Sequence, residues 1–484
     1  MDPASFRRHG HELVDWIADY LEHPERYPVL SRNAPGDIVA ALPACAPEDP
    51  ESFGAIMADF ERVLVPGLTH WNHPGFFAYF AISASPPGIL AEFLSAALNQ
   101  QAMLWRTSPA ATELEQVALG WLRQLIGLPD TFEGVVYDTA SISTLHALAA
   151  ARHACIPDVR TRGLAGHGRP SYRIYCSEQA HSSVDKAVIT LGLGQDSLRK
   201  IAADVAFQME PRALATTIAA DRARGDVPLA VVATVGTTST TSIDPVEAIA
   251  DMCAAEGIWL HVDAAYAGAA AILPTHRHVL AGAERADSLV INPHKWLFTP
   301  FDLSTLYCRR MDEMRAAFSL VPDYLMTTDG SGVKNLMDTG VQLGRRFRAL
   351  KLWMVMRTFG ASGLRERIAG HISLAQTFSG WVDASSDFVR MAPAPFSVVC
   401  FRWQPASRQA SDDALDAANA ALLDAVNQSG EVFISHTRLG GRYVLRLAIG
   451  HERTTLEHVE RAWALIVTHA RVLLERGIPA RENP

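Results

Sequence analysis

The chain is poor in cysteine for its 484 residues. Cys45, Cys155, Cys176, Cys253, Cys308 and Cys400 are scattered, with no C-x-x-C pair. That pattern excludes a disulfide scaffold and leads us to expect a reduced, cytoplasmic protein. No apolar run reaches the roughly eighteen residues of a membrane span, so no membrane partner is expected. The start, M-D-P-A-S-F-R-R-H-G, is charged and lacks an apolar core, unlike a secretory signal. Charge of one sign is nowhere concentrated. The net −9 is spread without blocks, which argues against nucleic acid as a partner. Repeats and low-complexity tracts are absent too. His70 and His73 make a lone H-x-x-H with neither a Glu partner nor a third ligand, so no metal is expected. Ser183 to Lys186 fits S-x-x-K but lacks its companion motifs. Gly163, Gly166 and Gly168 do not sit between a strand and a helix, as a dinucleotide fingerprint requires.

What is present is an ordinary globular composition, 49% apolar and 20% charged. The length suggests about three domains. Residues 4–22 form an amphipathic pattern, with Leu13, Trp16, Ile17, Tyr20 and Leu21 on one face. A proline-spotted connector follows, then a second helix near Ser52–Leu64. An apolar segment of this kind needs a surface to dock on, and a second subunit is one. Leu68–Phe80 is dense in aromatics, which suits core filling or one wall of a ligand pocket. From Glu133 onward strands alternate with helices, the pattern of a mostly parallel sheet covered on both faces. After Cys308 a polar, glycine-bearing stretch, 317–335, reads as a long mobile loop. Two helices follow, over 344–358 and Leu364–Ala384. A strand, a helix, a hairpin around Gly440-Gly441 and a closing helix then make a small α/β domain on an antiparallel sheet.

The stretch Ser288–Trp296, S-L-V-I-N-P-H-K-W, organises the reading. A short apolar run ends at Pro293, which has no N–H to give and restricts Asn292 before it. Lys295 therefore lies just past a strand, on the edge where open α/β sheets hold ligands. Taken alone, it reads better as a lysine with its head in water and its stem on Trp296. Other strand ends deliver His181, Thr237 with Thr238, and Asp263 to the same edge. Thr139, Ser141 and Ser143 crowd a helix start just after a strand, where N–H groups and hydroxyls favour an anion over a simple cap. An amine for a Schiff base, a carboxylate for a pyridine nitrogen, a histidine for a ring face and an anion seat are the parts of a pyridoxal-phosphate site.

The sequence resembles the pyridoxal-phosphate-dependent decarboxylases of the aromatic-L-amino-acid decarboxylase family (group II, fold type I). The resemblance runs through T-H-W-N-H-P-G-F-F-A-Y-F, S-P-A-A-T-E-L-E, Q-A-H-S-S-V, V-G-T-T-S, H-V-D-A-A-Y-A-G, N-P-H-K-W and L-G-R-R-F-R-A-L-K-L-W. It implies an α/β fold with a mostly parallel seven-stranded sheet. The domains would be a helical dimer-docking segment over 1–80, a large cofactor domain over 81–365 and a small α/β domain over 366–484. It implies pyridoxal 5'-phosphate as cofactor, a homodimer, and decarboxylation of an amino acid of the Trp/Tyr/Phe/DOPA class.

By the same resemblance Lys295 would anchor the cofactor, Asp263 would pair with its ring nitrogen and His181 would stack on its ring. Thr139, Ala140, Ser141 and Asn292 would hold the phosphate, with Thr238 helping to seat the cofactor. His294 would sit near the substrate carboxylate. Trp71, Tyr79, Phe80 and Gly344 would shape the substrate pocket, Gly344 at a place where glycine favours indole substrates. Tyr324 would return a proton to the substrate carbon. Relatives with Phe there make an aldehyde with oxygen instead, because a phenyl ring has no proton to give. Ala81-Ile82, Asp138 and Ile142 depart from animal members. The alternatives are an oxygen-using aldehyde synthase, a decarboxylase of a non-aromatic amino acid, or a binding protein on this fold.

Overall fold

The computed structural model describes residues 1–166, 168–320, 333–407 and 410–477. The chain divides into two compact units, one of Ile82–Ser379 with Ala392–Cys400, the other of Met1–Ala81, Gly380–Met391 and Phe401–Pro484.

The larger unit is built on a seven-stranded sheet. Its spatial order is Glu133–Tyr137, Ser304–Cys308, Ser288–Ile291, Trp259–Asp263, Val227–Thr234, Tyr172–Ser177 and Leu198–Ile201. The last five are parallel to one another, and Ser304–Cys308 runs antiparallel to both of its neighbours. The central strands are buried along nearly their whole length, as expected of a sheet covered on both faces. The helix Ala140–Cys155 packs Ala147–Ala151 into that core. Because the strands run in parallel, the residues following each one gather at a single edge.

The strand Ser304–Cys308 is absent from the sequence reading. Five buried residues between irregular segments carry too little periodicity to declare a strand, and its pairing with Glu133–Tyr137 is long-range. The long helix Ala349–Ala384 is broken at Gly360, whose φ is 64°. Two helices therefore follow one another as expected, the first starting at Ala349 and not at Gly344.

In the other unit, Phe433–Leu439 and Arg442–Ala448 form the expected hairpin. Gly440 and Gly441 both take positive φ (56° and 83°), which a two-residue turn of this kind requires. Phe76–Phe77 adds to Phe433–Leu439 in parallel, and Val29 N–H donates to the Gly430 carbonyl at 2.8 Å. These bonds join the N-terminal residues to the C-terminal ones. The helix Pro3–Glu22 contains no fully buried residue. Its Trp16 meets Phe60 edge-on at 5.3 Å, and Tyr20 hydrogen-bonds His70 Nδ1 at 2.9 Å. His73 Nδ1 accepts from Gly75 N–H, so both histidines of the H-x-x-H pair take part in local structure.

Candidate active site

Five strand ends supply the site. Ser288–Ile291 runs into Asn292 and a single helical turn, Pro293–Trp296, with proline at its first position. Lys295 is half-buried on this turn between buried His294 and buried Trp296. The Trp296 ring stacks on Tyr266 at 4.8 Å and 5°, and its Nε1 donates to His371 Nδ1 at 3.0 Å. Two of the sequence motifs thus lock together, Tyr266 coming from H-V-D-A-A-Y-A-G and Trp296 from N-P-H-K-W. Gly268 of the first motif is equally specific. A Cβ there would lie 2.8 Å from Ile291 and 2.9 Å from Ala264, so only glycine lets the two strand ends approach.

Asp263 ends its strand only 6% exposed. One carboxylate oxygen, Oδ1, accepts from Ala265 N–H at 3.1 Å, which leaves Oδ2 for a ligand donor. His181 follows the strand Tyr172–Ser177 and presents an exposed ring. Its Nδ1 accepts from Ser183 N–H at 3.1 Å. The protein around it lowers its pKa; Asp263 pulls the other way and Lys295 reinforces the shift. These three groups therefore share one electrostatic neighbourhood.

Thr139 caps the helix Ala140–Cys155 in extended conformation. Its amide and hydroxyl both donate to Asp138 Oδ1, at 2.6 and 3.2 Å. The first N–H groups of that helix, at Ala140 and Ser141, have no carbonyl to serve within it. Asn292 is 2% exposed and its Oδ1 has no partner among the described residues, an unsatisfied polar atom of the kind a bound ligand resolves. Thr237 is spent on Thr240 and the Ser242 amide, whereas Thr238 faces outward. Gly236, with φ 92°, permits this turn; a Cβ there would stand 2.6 Å from that of Ala267.

His294 is 3% exposed, and burial, with Lys295 beside it, pushes its pKa down to about 3. Gly344 is exposed and lines an open cavity of about 570 Å³ with Gln101, Tyr137 and Arg345. A Cβ at Gly344 would meet Gln101 Nε2 at 3.1 Å. Trp71, Tyr79 and Phe80 belong to the other compact unit. Trp71 stacks on Phe76 and Tyr79, at 4.4 and 5.8 Å, and Arg446 lies 4.7 Å over the Phe80 ring. Tyr79 is 55% exposed and adopts φ 50°, a strained value for tyrosine. Tyr324 lies outside the described residues.

The sequence reading missed Tyr266 and His371, which brace Trp296, and Asp244, which binds the amides of Met209 and Thr234 at 2.8 Å each. Tyr266 stood in a quoted motif and was legible there. His371 lies 75 residues from its partner, and nothing local marks it.

A half-buried lysine, a buried carboxylate with one oxygen spare, an open imidazole face and an N-terminal helix turn suit a phosphorylated pyridine aldehyde. Fold and site together define a pyridoxal-phosphate-dependent enzyme of fold type I. Residues 35–404 match the pyridoxal-dependent decarboxylase conserved domain, and the chain belongs to that family; its cofactor is pyridoxal 5'-phosphate. The chain is 41% identical to tryptophan decarboxylase TDC1 of Camptotheca acuminata, covering 98% of this chain and 95% of that one. It is 39% identical to phenylacetaldehyde synthase of a Rosa hybrid cultivar, with the same coverages of 98% and 95%. The crystal structure of Oryza sativa TDC with PLP and tryptamine superposes with a TM-score of 0.94 at 37% identity, covering 98% of this chain and 99% of that one. The enzyme is a carboxy-lyase. No helix among the described residues is long and apolar enough to cross a membrane.

Proposed function

We propose that the protein decarboxylates aromatic L-amino acids to arylalkylamines and carbon dioxide, with Lys295 as cofactor anchor. The observation that carries this reading is the convergence of Lys295, Asp263 and His181 on one sheet edge. The family fits the reaction, and relatives named for tryptophan decarboxylation and for phenylacetaldehyde synthesis favour an aromatic side chain.

When bound, pyridoxal phosphate supplies the electron sink for the pair left by the departing carboxylate. The residues then have these parts. Lys295 would hold the cofactor through its amine. Asp263 Oδ2 keeps a proton on the ring nitrogen. His181 covers one ring face. Thr139, the Ala140 and Ser141 amides and Asn292 hold the phosphate, and Thr238 steadies the cofactor. His294 faces the substrate carboxylate. Trp71, Tyr79 and Phe80 enclose the aromatic side chain, with Gly344 leaving room for an indole. Tyr324 returns a proton to the carbon that lost carbon dioxide.

The active form is a homodimer. Leu90, Phe93, Leu94 and Leu98 line one face of the helix Pro86–Leu98 and are 49–54% exposed, an apolar stripe suited to a second copy. Its place is the cytoplasm, in keeping with six free thiols.

The likeness to a phenylacetaldehyde synthase supports one second reading, oxygen-dependent aldehyde formation. A panel of tryptophan, tyrosine, phenylalanine and DOPA, with glutamate as control, decides between them when amine, carbon dioxide and peroxide are measured together. The expected result is equal amine and carbon dioxide without peroxide. Stoichiometric peroxide would establish the second reading, and turnover of glutamate alone would reject both. Lys295→Ala should lose about 10⁴-fold or more of the activity. Tyr324→Phe should divert product to aldehyde, and unchanged amine formation in that variant would remove Tyr324 from the mechanism.

A further inference from the structure

His294 sits in a frame that reaches well beyond its own turn. Its Nδ1 accepts from the Leu303 amide at 2.9 Å, and its own amide donates to the Leu303 carbonyl at 3.4 Å. A neutral imidazole whose Nδ1 accepts must carry its proton on Nε2. The residue before Leu303 is Asp302. Arg348 grips it with a fork, Nε to Oδ1 at 3.0 Å and Nη2 to Oδ2 at 3.3 Å. Both side chains are about one-fifth exposed, so the pair is only partly solvated. Lys351, almost wholly buried, lies in the first turn of the helix that begins just after Arg348, and it pairs with Glu92. The charged groups acting on His294 are thus Lys295, Asp302 and Lys351, with the Phe301 ring against it at 4.9 Å. Two cations and burial keep the ring neutral, and Asp302 is the charged group that opposes them.

We propose that Arg348 and Asp302 are positioning residues whose fork holds the Leu303 amide on His294 Nδ1 and thereby sets His294 as an Nε2–H donor to the substrate carboxylate. The inference rests on the reading that His294 faces that carboxylate. A guanidinium fork suits the task because it fixes direction as well as distance, which a lysine does not. Losing the fork frees the loop before Leu303 and lets the imidazole turn or change tautomer. The damage then falls on the carboxylate and leaves the rest of the substrate untouched.

The test compares two ligands of the holoenzyme that differ by the carboxylate, an accepted aromatic amino acid and its own arylalkylamine product. KM is measured for the first and the inhibition constant for the second, with the visible absorbance of the bound cofactor as an independent readout of ligand binding. In Arg348→Gln and Asp302→Asn the amino acid should weaken by about tenfold, the worth of one misdirected charge-assisted hydrogen bond, while the amine stays within about twofold. Arg348→Lys, which keeps the charge without the fork and is the mildest for folding, should fall between. Equal weakening of both ligands, or of neither, would overturn the inference. His294→Asn separates it from the reading beneath it. If that variant weakens the amino acid selectively and the Asp302 and Arg348 variants do not, the positioning role alone fails. If His294→Asn weakens neither ligand selectively, the reading of His294 fails and takes the inference with it.

Discussion

Asp263 shows how one residue serves fold and chemistry together. It ends a strand buried along its whole length, and its Oδ1 closes the following turn through the Ala265 amide. Asp263→Asn keeps the size and that acceptor but not the charge proposed to hold a ring proton. We expect the variant to fold, to bind cofactor and to lose about 10²- to 10⁴-fold in kcat, read from steady-state turnover beside the bound-cofactor spectrum. A kcat near that of the native enzyme would remove Asp263 from its place at the ring nitrogen. At this scale the sequence was most informative. Lys295, Asp263 and His181 each follow a strand within a few residues, so local pattern locates them. The partners of Asp263 and His181, the Ala265 and Ser183 amides, are local too, whereas the His371 ring on Trp296 lies 75 residues away and could not be read from neighbouring residues.

Among the elements, the helix Pro86–Leu98 stands apart. Its Gly88 packs so tightly that a Cβ would lie 2.2 Å from Pro300, yet Leu90, Phe93, Leu94 and Leu98 on another face stay half exposed. Their spacing of three, four and eight residues is that of one helical stripe. Leu90→Asp with Phe93→Asp places two charges in that stripe and touches neither Gly88 nor the buried Ala91. We expect sedimentation of the double variant to shift from dimer to monomer, with activity falling by about tenfold or more. A dimer that persists would move the proposed interface elsewhere. Its apolar residues surround the axis, so sequence leaves its orientation open and burial alone chooses the packed side. The aromatic stretch Leu68–Phe80 likewise allowed core or pocket. The structure buries Phe76 and Phe77 in a sheet and leaves Tyr79 exposed.

For the whole molecule, the buried histidines decide the response to acid. Burial lowers His73, His146 and His261 to about 4 and His294 to about 3. An unfolded histidine titrates near 6.5. Between about pH 6.5 and 4 the unfolded chain therefore binds protons that the folded chain refuses, and stability falls as the pH falls. Each group contributes on the order of 3 kcal/mol over that window, so the four together rival the total stability of an ordinary protein. Buried Asp244, raised to about 6, and Asp287, also raised by burial, have the opposite sign, being better tolerated once protonated, but the lowered histidines outnumber them. The thermal midpoint, followed by circular dichroism, should decline steadily from pH 7 and the fold should be lost near pH 4. An unchanged midpoint between pH 7 and 4.5 would contradict this account.

The sequence by itself determined the alternation of strands and helices, the ligand edge and the residues that follow each strand to it, because hydrophobic period, Pro293 and the helix-start hydroxyls act over a few residues. It also carried the family motifs and hence the cofactor. Only the tertiary structure decided the reversed strand Ser304–Cys308, the pairing of Phe76–Phe77 with Phe433–Leu439, the locking of Tyr266 on Trp296 and the bond that fixes the His294 tautomer. Each joins groups separated by a loop, short for His294 and Leu303 and long for Phe76–Phe77 and Phe433–Leu439. Such contacts form only when burial outweighs the entropy of closing the intervening loop, and no local pattern of residues records that balance.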